Sequence, residues 1–383
     1  MSYSRTGSGS STTSLLRKAS FYGSEDRVII EIGTLLTKLG YSGELNPRHI
    51  LKTPDLSTLD SIYQFIKFIH QILIVNDERT RKVIFVESVH LNLIDKRNWL
   101  DALLLKFNFN SVSFIPSCNL ALMVFAQPNG LIIDIGFNET IVIPVFDNRP
   151  LYNYYTSVPN AGKHITQRLK TLLIHAKIVT DITDSGISTT TEFLDTLSDW
   201  DIEKIKVQIA LAALTVPNIQ PDSSHYTLIK DVYFRINSKS MLKIPGWIRE
   251  ACVETLFEKT IEDISIQSAI LNCLVKCPID IRNEMVQNSV LIGGSSMIPG
   301  LGPRLQYQLM SDSDKIPKYQ ILNRLSPRIK FLKSIFQPNL ICYVGASLLG
   351  SAKLSVHGEV KAANYTEQSI IPDWTINVDA VEQ

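Results

Sequence analysis

The sequence predicts an α/β protein whose mixed β-sheet is covered by helices on both faces. The first observation is that short apolar runs of strand length alternate with helical patterns along the first half of the chain. The second is that three glycine turns follow apolar strands, at Gly33, at Gly136 and at Gly293-Gly294. The length of 383 residues is sufficient for two domains with well-filled cores.

Hydrophobic periodicity assigns the elements of the first half. The strongest helical pattern spans residues 59–74, where one face carries Ile62, Phe65, Ile66, Ile69 and Leu73. Runs of β-branched and apolar residues predict strands at 27–32, 35–41, 82–86 and 112–115, then a strand–turn–strand at 131–145. Further helices are predicted at 99–107 and 119–125.

The second half is predicted to contain more helix than strand. Helices are predicted at 164–175, 202–214, 247–257, 266–276, 299–309 and 342–353. Short strands are predicted at 289–292 and 328–331, and residues 240–246 are predicted to be irregular.

Both ends of the chain are predicted to be tails. Residues 1–24 are rich in Ser, Thr and Gly and are predicted to be disordered. Residues 355–383 are predicted to be a polar tail, apart from an apolar segment at 370–374. A tryptophan in such a segment is expected to dock, either on the body of the protein or on a partner.

Composition excludes several functional classes. The net charge of +1 gives no field that would attract nucleic acid or an anionic membrane. No apolar run reaches 18 residues and the N-terminus is polar, so neither a transmembrane helix nor a signal peptide is expected. The five cysteines lie in apolar or helical stretches without nearby histidine, which predicts buried free thiols and no metal site. These features favour a cytoplasmic protein.

The hairpin at residues 131–145 is the first candidate site. A strand that ends in Asp134, with Gly136 two positions later, can bring backbone N–H groups to a phosphate and a carboxylate to a hydrated cation. An ordinary hairpin with a turn aspartate and a turn glycine has the same pattern. The hairpin alone leaves both interpretations open.

Several segments resemble a known family. Residues 288–300 match the actin pattern Asn-x-Val-Leu-x-Gly-Gly-x-x-Met-x-Pro-Gly almost position for position, and residues 158–163 and 276–282 resemble two further actin motifs. The three glycine turns also follow the order and spacing of actin. The chain is therefore identified as a member of the actin-related proteins over residues 27–353.

The resemblance implies the actin-like α/β fold, which Hsp70-type ATPases and sugar kinases share. Two α/β lobes surround a central cleft in this fold, and subdomain two is truncated here. The first lobe is expected at residues 25–155 and 325–354, and the second at residues 156–324. The cofactor-binding residues implied by the resemblance lie at two phosphate turns and an adenosine shelf: Gly33, Thr34, Lys38, Asp134, Gly136, Gly293, Gly294, Ser295 and Met297.

The chain departs from the family at positions that carry chemistry. The resemblance places Asn119 and Ile141 where actins have the glutamine and histidine that serve the attacking water, so no hydrolysis is expected. Other replacements, at positions for metal, phosphate, ribose or base, are Glu31, Leu35, Phe137, Asn138, Glu203, Lys204 and Asn339. ATP or ADP as a structural ligand stays open, as does a purely structural role for Gly33 and Asp134.

A narrower resemblance is to the pointed-end actin-related subunits of dynactin. Residues 81–89, 277–280 and 371–374 carry it, together with the five residues that separate Thr53 from Leu59. Ordinary actins place a few dozen residues there and build subdomain two from them. The resemblance implies a non-catalytic cap on a centractin-like filament, other pointed-end subunits as partners, and a role in dynein-driven transport.

Two alternatives remain at this point. One is a nuclear actin-related subunit of a chromatin-remodelling complex, against which the neutral charge and the deletion argue. The other is an enzyme of the same fold, such as a sugar kinase or an Hsp70-type ATPase.

Overall fold

The computed structural model describes residues 27–73, 81–176, 180–182, 197–214, 229–235, 240–259, 264–352, 358–366 and 368–375. The predicted disordered tail at residues 1–24 and the end of the predicted C-terminal tail lie outside these ranges.

The strands are β1 (Val28–Ile32), β2 (Leu36–Tyr41), β3 (His49–Lys52), β4 (Lys82–Glu87), β5 (Ser111–Pro116), β6 (Gly130–Ile135), β7 (Thr140–Phe146), β8 (Arg149–Pro150), β9 (Thr156–Val158), β10 (Thr180–Ile182), β11 (Val232–Arg235), β12 (Ser240–Ile244), β13 (Ser289–Ile292) and β14 (Glu359–Lys361). The α-helices are α1 (Leu59–Leu73), α2 (Leu93–Leu100), α3 (Ser117–Val124), α4 (Gly162–His175), α5 (Asp199–Ile209), α6 (Gly246–Ala251), α7 (Ile266–Lys276), α8 (Ile279–Gln287), α9 (Leu301–Lys315) and α10 (Ile341–Ser351). A π-helix, Asp101–Lys106, continues α2.

The chain forms two compact units. The first comprises Met1–Ile32, Leu36–Ile115 and Ala346–Asp373, and the second comprises Gly33–Leu35, Pro116–Gly345 and Trp374–Gln383. The predicted first lobe reached residue 155, and the structure differs there. Strand β6 pairs in parallel with β13, which assigns the hairpin β6–β7 to the second unit.

The first unit is built on a six-stranded sheet with the order β14-β5-β4-β1-β2-β3. Strand β1 pairs antiparallel with β2 and parallel with β4. The buried face of α1 packs on this sheet with the apolar residues predicted from its periodicity. The rings of Phe85, Trp99 and Phe114 meet in the same core, with centroids 4.9 and 5.2 Å from that of Phe85.

The second unit contains two sheets. One has the order β13-β6-β7-β8, with β9 also paired to β7, and the other has the order β10-β12-β11. Helices α4, α5, α7 and α9 bury their apolar faces in a single core of this unit. The five cysteines are free and buried, as predicted.

Only a short link joins β3 to α1. Residues 53–58 contain neither helix nor strand. Thr58 ends the link as a helix cap, because its hydroxyl accepts from the Ser61 N–H at 3.1 Å and the Ser61 hydroxyl accepts from the Thr58 N–H at 3.2 Å. The link therefore leads directly from the edge of the sheet into the helix.

Several predicted elements are corrected. The predicted helix 202–214 ends at Ile209, and residues 240–246, predicted to be irregular, contain β12. Residues 328–331, predicted as a strand, follow the 3₁₀ turn Ser326–Arg328 and make one bridge, from Phe331 to Ser289. Strand β3 and helix α8 were not predicted.

The described part of the predicted C-terminal tail packs on the first unit. We call residues 358–366 and 368–373 the strap. Its strand β14 pairs with β5, and Tyr365 and Ile371 enter the core of the unit. The segment at residues 370–374, for which two docking places were open, therefore has Ile371 on the body of the protein.

None of the helices in the described ranges combines the length and the hydropathy needed to cross a membrane.

Candidate functional site

The first glycine turn connects β1 to β2 and carries the predicted Gly33, Thr34 and, further on, Lys38. In the antiparallel register Glu31 lies opposite Lys38, and its Oε1 atom forms an ion pair with the Lys38 Nζ atom. The two side chains are only 14% and 12% exposed. The ammonium predicted to meet a phosphate is thus bound to a carboxylate of the chain itself.

The second glycine turn is held by hydrogen bonds from two other segments. The carbonyl oxygen of Gly136 accepts from the Gly162 N–H at 3.1 Å and from the Ser295 hydroxyl at 2.9 Å. The next carbonyl, of Phe137, accepts from the Lys163 N–H at 2.7 Å. The structure therefore brings together the predicted Gly136 and Ser295 with the start of α4.

The third turn places Gly293 beside the predicted Asp134. A Cβ atom on Gly293 would lie 2.4 Å from the Asp134 Oδ1 atom and 2.5 Å from the Ile135 carbonyl oxygen, and its φ is +91°. Only glycine fits this position. A Cβ atom on Gly294 would meet nothing within 4 Å, and the Met297 side chain is exposed, so this side of the turn is open.

A buried ion pair lies next to the second turn. The Lys206 Nζ atom is 2.6 Å from the Glu203 Oε2 atom and 3.1 Å from the Gly162 carbonyl oxygen, and it lies 5.6 Å from the centre of the Phe137 ring. The Thr166 hydroxyl donates to the same Glu203 oxygen at 2.6 Å. Burial lowers the pKa of Lys206, and Glu203 opposes that shift.

Lys206 was missed by the sequence analysis, although the sequence carries a signal for it. Its position is four residues after Ile202 and three before Ile209, on the apolar stripe of α5. A lysine on such a stripe is buried and requires a partner. The predicted pair Glu203 and Lys204 is separated, because Glu203 points inward while Lys204 pairs with Asp201 at 3.1 Å on the surface.

The family positions for the attacking water are occupied otherwise. The Asn119 amide donates to the Asn148 carbonyl oxygen at 2.8 Å, and Ile141 is buried in β7. The turn Pro338–Leu340 packs on Ser295–Met297 and holds Asn339, whose Oδ1 atom is buried without a hydrogen-bond partner among the described residues. These side chains supply no group that would activate water.

The residues fit a nucleoside better than a metal-bound polyphosphate. The open side of Gly294 leaves room for a ligand, and the orphaned Asn339 oxygen could accept one hydrogen bond there. Both buried ammonium groups described above are already neutralised by glutamates. Within the described ranges, no group of three His, Cys, Asp or Glu side chains could hold a metal ion.

The comparison with protein families gives the class of the protein. The actin family model matches residues 60–371, and the chain therefore belongs to the actin family. The predicted α/β fold of this family is confirmed.

Individual relatives are distant in sequence but cover most of the chain. Actin-related protein 10 of Dictyostelium discoideum is 24% identical over 433 aligned positions, which cover 92% of this chain and 89% of that protein. Putative actin-29 of the same organism is 21% identical over 388 positions, covering 89% and 94%. Actin-related protein 6 of Drosophila melanogaster is 25% identical over 200 positions, covering 47% and 48%.

Proposed function

We propose that this chain is a non-catalytic actin-related subunit that caps the pointed end of the short actin-related filament of dynactin. In this role it ends a centractin-like filament and contributes to a platform for other pointed-end subunits. It thereby supports dynein-driven transport in the cytoplasm. The observation that carries the proposal is the link of residues 53–58 between β3 and α1.

The link supports capping because of how open filaments grow. Subunits that join head to tail make a heterologous contact, which continues until one subunit lacks the receiving surface. Six residues without helix or strand cannot form a subdomain that receives the next subunit. A chain that retains the opposite face can then bind the filament end and stop its growth.

Two further observations support the proposal. The similarity to actin-related protein 10 of Dictyostelium extends over 92% of this chain, whereas that to actin-related protein 6 of Drosophila covers 47%. The positions of Asn119 and Ile141 lack groups that would orient and activate a water molecule.

Electron microscopy tests the proposal. Purified protein mixed with the short filament should appear once per filament, at one end only, and further subunit addition there should cease. A chimera that carries subdomain two of a conventional actin between Thr53 and Leu59 should bind the end and permit growth. A Gly/Ser insertion of equal length is the control and should still cap. Decoration of the filament side by the wild-type chain would refute the proposal.

An ATPase assay tests the non-catalytic part. We expect the purified chain to release no phosphate above the buffer rate, and Asp134→Ala to change nothing. Steady-state hydrolysis that disappears in Asp134→Ala would identify an enzyme of the same fold instead. Co-purification with a remodelling ATPase rather than with dynactin would favour the nuclear alternative.

A further inference from the structure

We propose that this protein supplies its own counter-ions at the predicted phosphate turns, so that it is stable without a metal-bound polyphosphate and prefers a nucleoside over a nucleoside triphosphate. Two glutamates, Glu31 and Glu203, act in place of ligand phosphates. This inference concerns ligand choice and is independent of the proposed filament role.

The first argument is the pair of Lys38 and Glu31. The two residues face each other across β1 and β2, so the pairing is fixed by the register of a central hairpin. Glu31 reaches the ammonium with its Oε1 atom, and its Oε2 atom is buried without a partner among the described residues. A phosphate approaching Lys38 would have to displace this carboxylate and leave a buried charge unpaired.

The second argument is the pair of Lys206 and Glu203. The ammonium has three hydrogens, and its surroundings supply the Glu203 carboxylate, the Gly162 carbonyl and the face of the Phe137 ring. The Thr166 hydroxyl also donates to the carboxylate at 2.6 Å, which fixes its orientation. No donor of this lysine is left for a ligand anion.

The third argument is that the same turns are connected by the protein itself. The Gly136 carbonyl oxygen joins the second turn to Ser295 at 2.9 Å and to Gly162 at 3.1 Å. These bonds hold the turns in place without a bridging ligand. The open side of Gly294, near the orphaned Asn339 oxygen, remains suitable for an uncharged ring system.

Calorimetry with three probes tests the ligand preference. Adenosine, ADP and ATP with Mg²⁺ are titrated into the full chain. We expect adenosine to bind and ATP to bind no more than about threefold more tightly, since equal affinities mean no gain from phosphate. A wild-type affinity for ATP at least about tenfold above that for adenosine would overturn the proposal, as would the absence of adenosine binding.

The variant Glu31→Gln tests the counter-ion. Freed Lys38 should raise the affinity for ATP at least about tenfold relative to adenosine, and this gain should weaken with salt. Glu44→Gln, which removes an exposed partner of Arg48, is the control and should show no gain. Absence of a gain in a folded Glu31→Gln protein overturns the role of Glu31. If that variant does not fold, Glu203→Gln is read in the same way.

Thermal melting tests stability without ligand and uses the wild-type chain alone. Treatment with EDTA and apyrase should leave the melting temperature unchanged within about one degree, because no stabilising ligand is removed. Denatured wild-type protein should release no ATP or ADP. A drop in melting temperature, or release of one nucleotide per chain, would overturn the proposal.

Discussion

The Lys96 Nζ atom lies 2.6 Å from the Glu87 Oε1 atom, and the two side chains are 1% and 3% exposed. The same ammonium donates to the Pro372 carbonyl oxygen at 3.2 Å, and the neighbouring Arg97 donates to the Ser369 carbonyl oxygen at 3.2 Å. Two adjacent cations of α2 therefore bind the main chain of the strap. The pair with Glu87 connects this contact to the end of β4.

Replacing Lys96 should destabilise the first unit strongly. Lys96→Met leaves the Glu87 carboxylate buried and unpaired, and we expect a loss of about 3–5 kcal/mol in opening free energy at pH 8. Hydrogen exchange of the β4 amides measures this loss. Lys204→Met, which breaks an exposed pair in α5, should cost less than about 1 kcal/mol at the α5 amides. A similarly small loss for Lys96→Met would show that the pair is not essential for stability.

The same pair should make stability depend on pH. Burial raises the pKa of Glu87 from 4.5 to about 7, and Asp373 adds to the rise while Lys96 opposes it. The folded state thus binds a proton more tightly than the unfolded state between these values. Its stability should fall as pH rises from 4.5 to 7, by at most about 1.4 kcal/mol per pH unit from this group.

Glu87→Gln isolates that pH dependence. The difference in opening free energy between the wild type and Glu87→Gln should shift in favour of the variant as pH increases. Hydrogen exchange at a series of pH values, corrected for intrinsic exchange rates, measures it. Parallel profiles for the two proteins would contradict the assignment to Glu87.

Neighbouring glycines in the third turn should respond differently to alanine. Gly293→Ala forces a Cβ atom against Asp134 and Ile135 and keeps φ at +91°, so we expect a loss of at least about 2 kcal/mol. Gly294 has φ −65° and ψ −39° and open space around it, so Gly294→Ala should change stability by less than about 1 kcal/mol. Urea unfolding compares the two variants, and equal losses would contradict the described turn.

Two adjacent isoleucines test the docking of the strap. Ile371 is 7% exposed and lies in the core of the first unit, whereas Ile370 is 95% exposed. Ile371→Ala should cost about 2–5 kcal/mol, and Ile370→Ala should stay within about 0.5 kcal/mol. Hydrogen exchange of the amides of β5 and the strap measures both. Equal effects would mean that the strap is not packed as described.

The elements with the strongest periodicity were predictable from sequence. Strand β1 and helix α1 agree with the predictions within a residue or two, because their apolar residues mark one buried face. The predicted helix at 202–214 fails after Ile209 for a tertiary reason. The Leu211 N–H donates to the Arg249 carbonyl at 3.1 Å and the Ala212 N–H to the Pro299 carbonyl at 2.9 Å.

The candidate site was predictable as turns and not as a network. The glycine motifs identified Gly136 and Gly293, since glycine turns after strands are visible locally. The pairing of Lys206 with Glu203 follows from a helix face and could have been found. The hydrogen bonds from Gly162 and Ser295 to the Gly136 carbonyl join residues far apart in sequence, and no local pattern contains them.

Strand β14 gives the chain a defined order of completion during synthesis. It closes the edge of the first sheet next to β5, and it is made after every strand of the second unit among the described elements. Domains of a nascent chain fold as units once their residues have emerged. The second unit can thus mature on the ribosome while the first waits for residue 373. Until then, β5 and the cations of α2 stay uncovered in the newborn chain, and a translation arrest before residue 358 leaves them so.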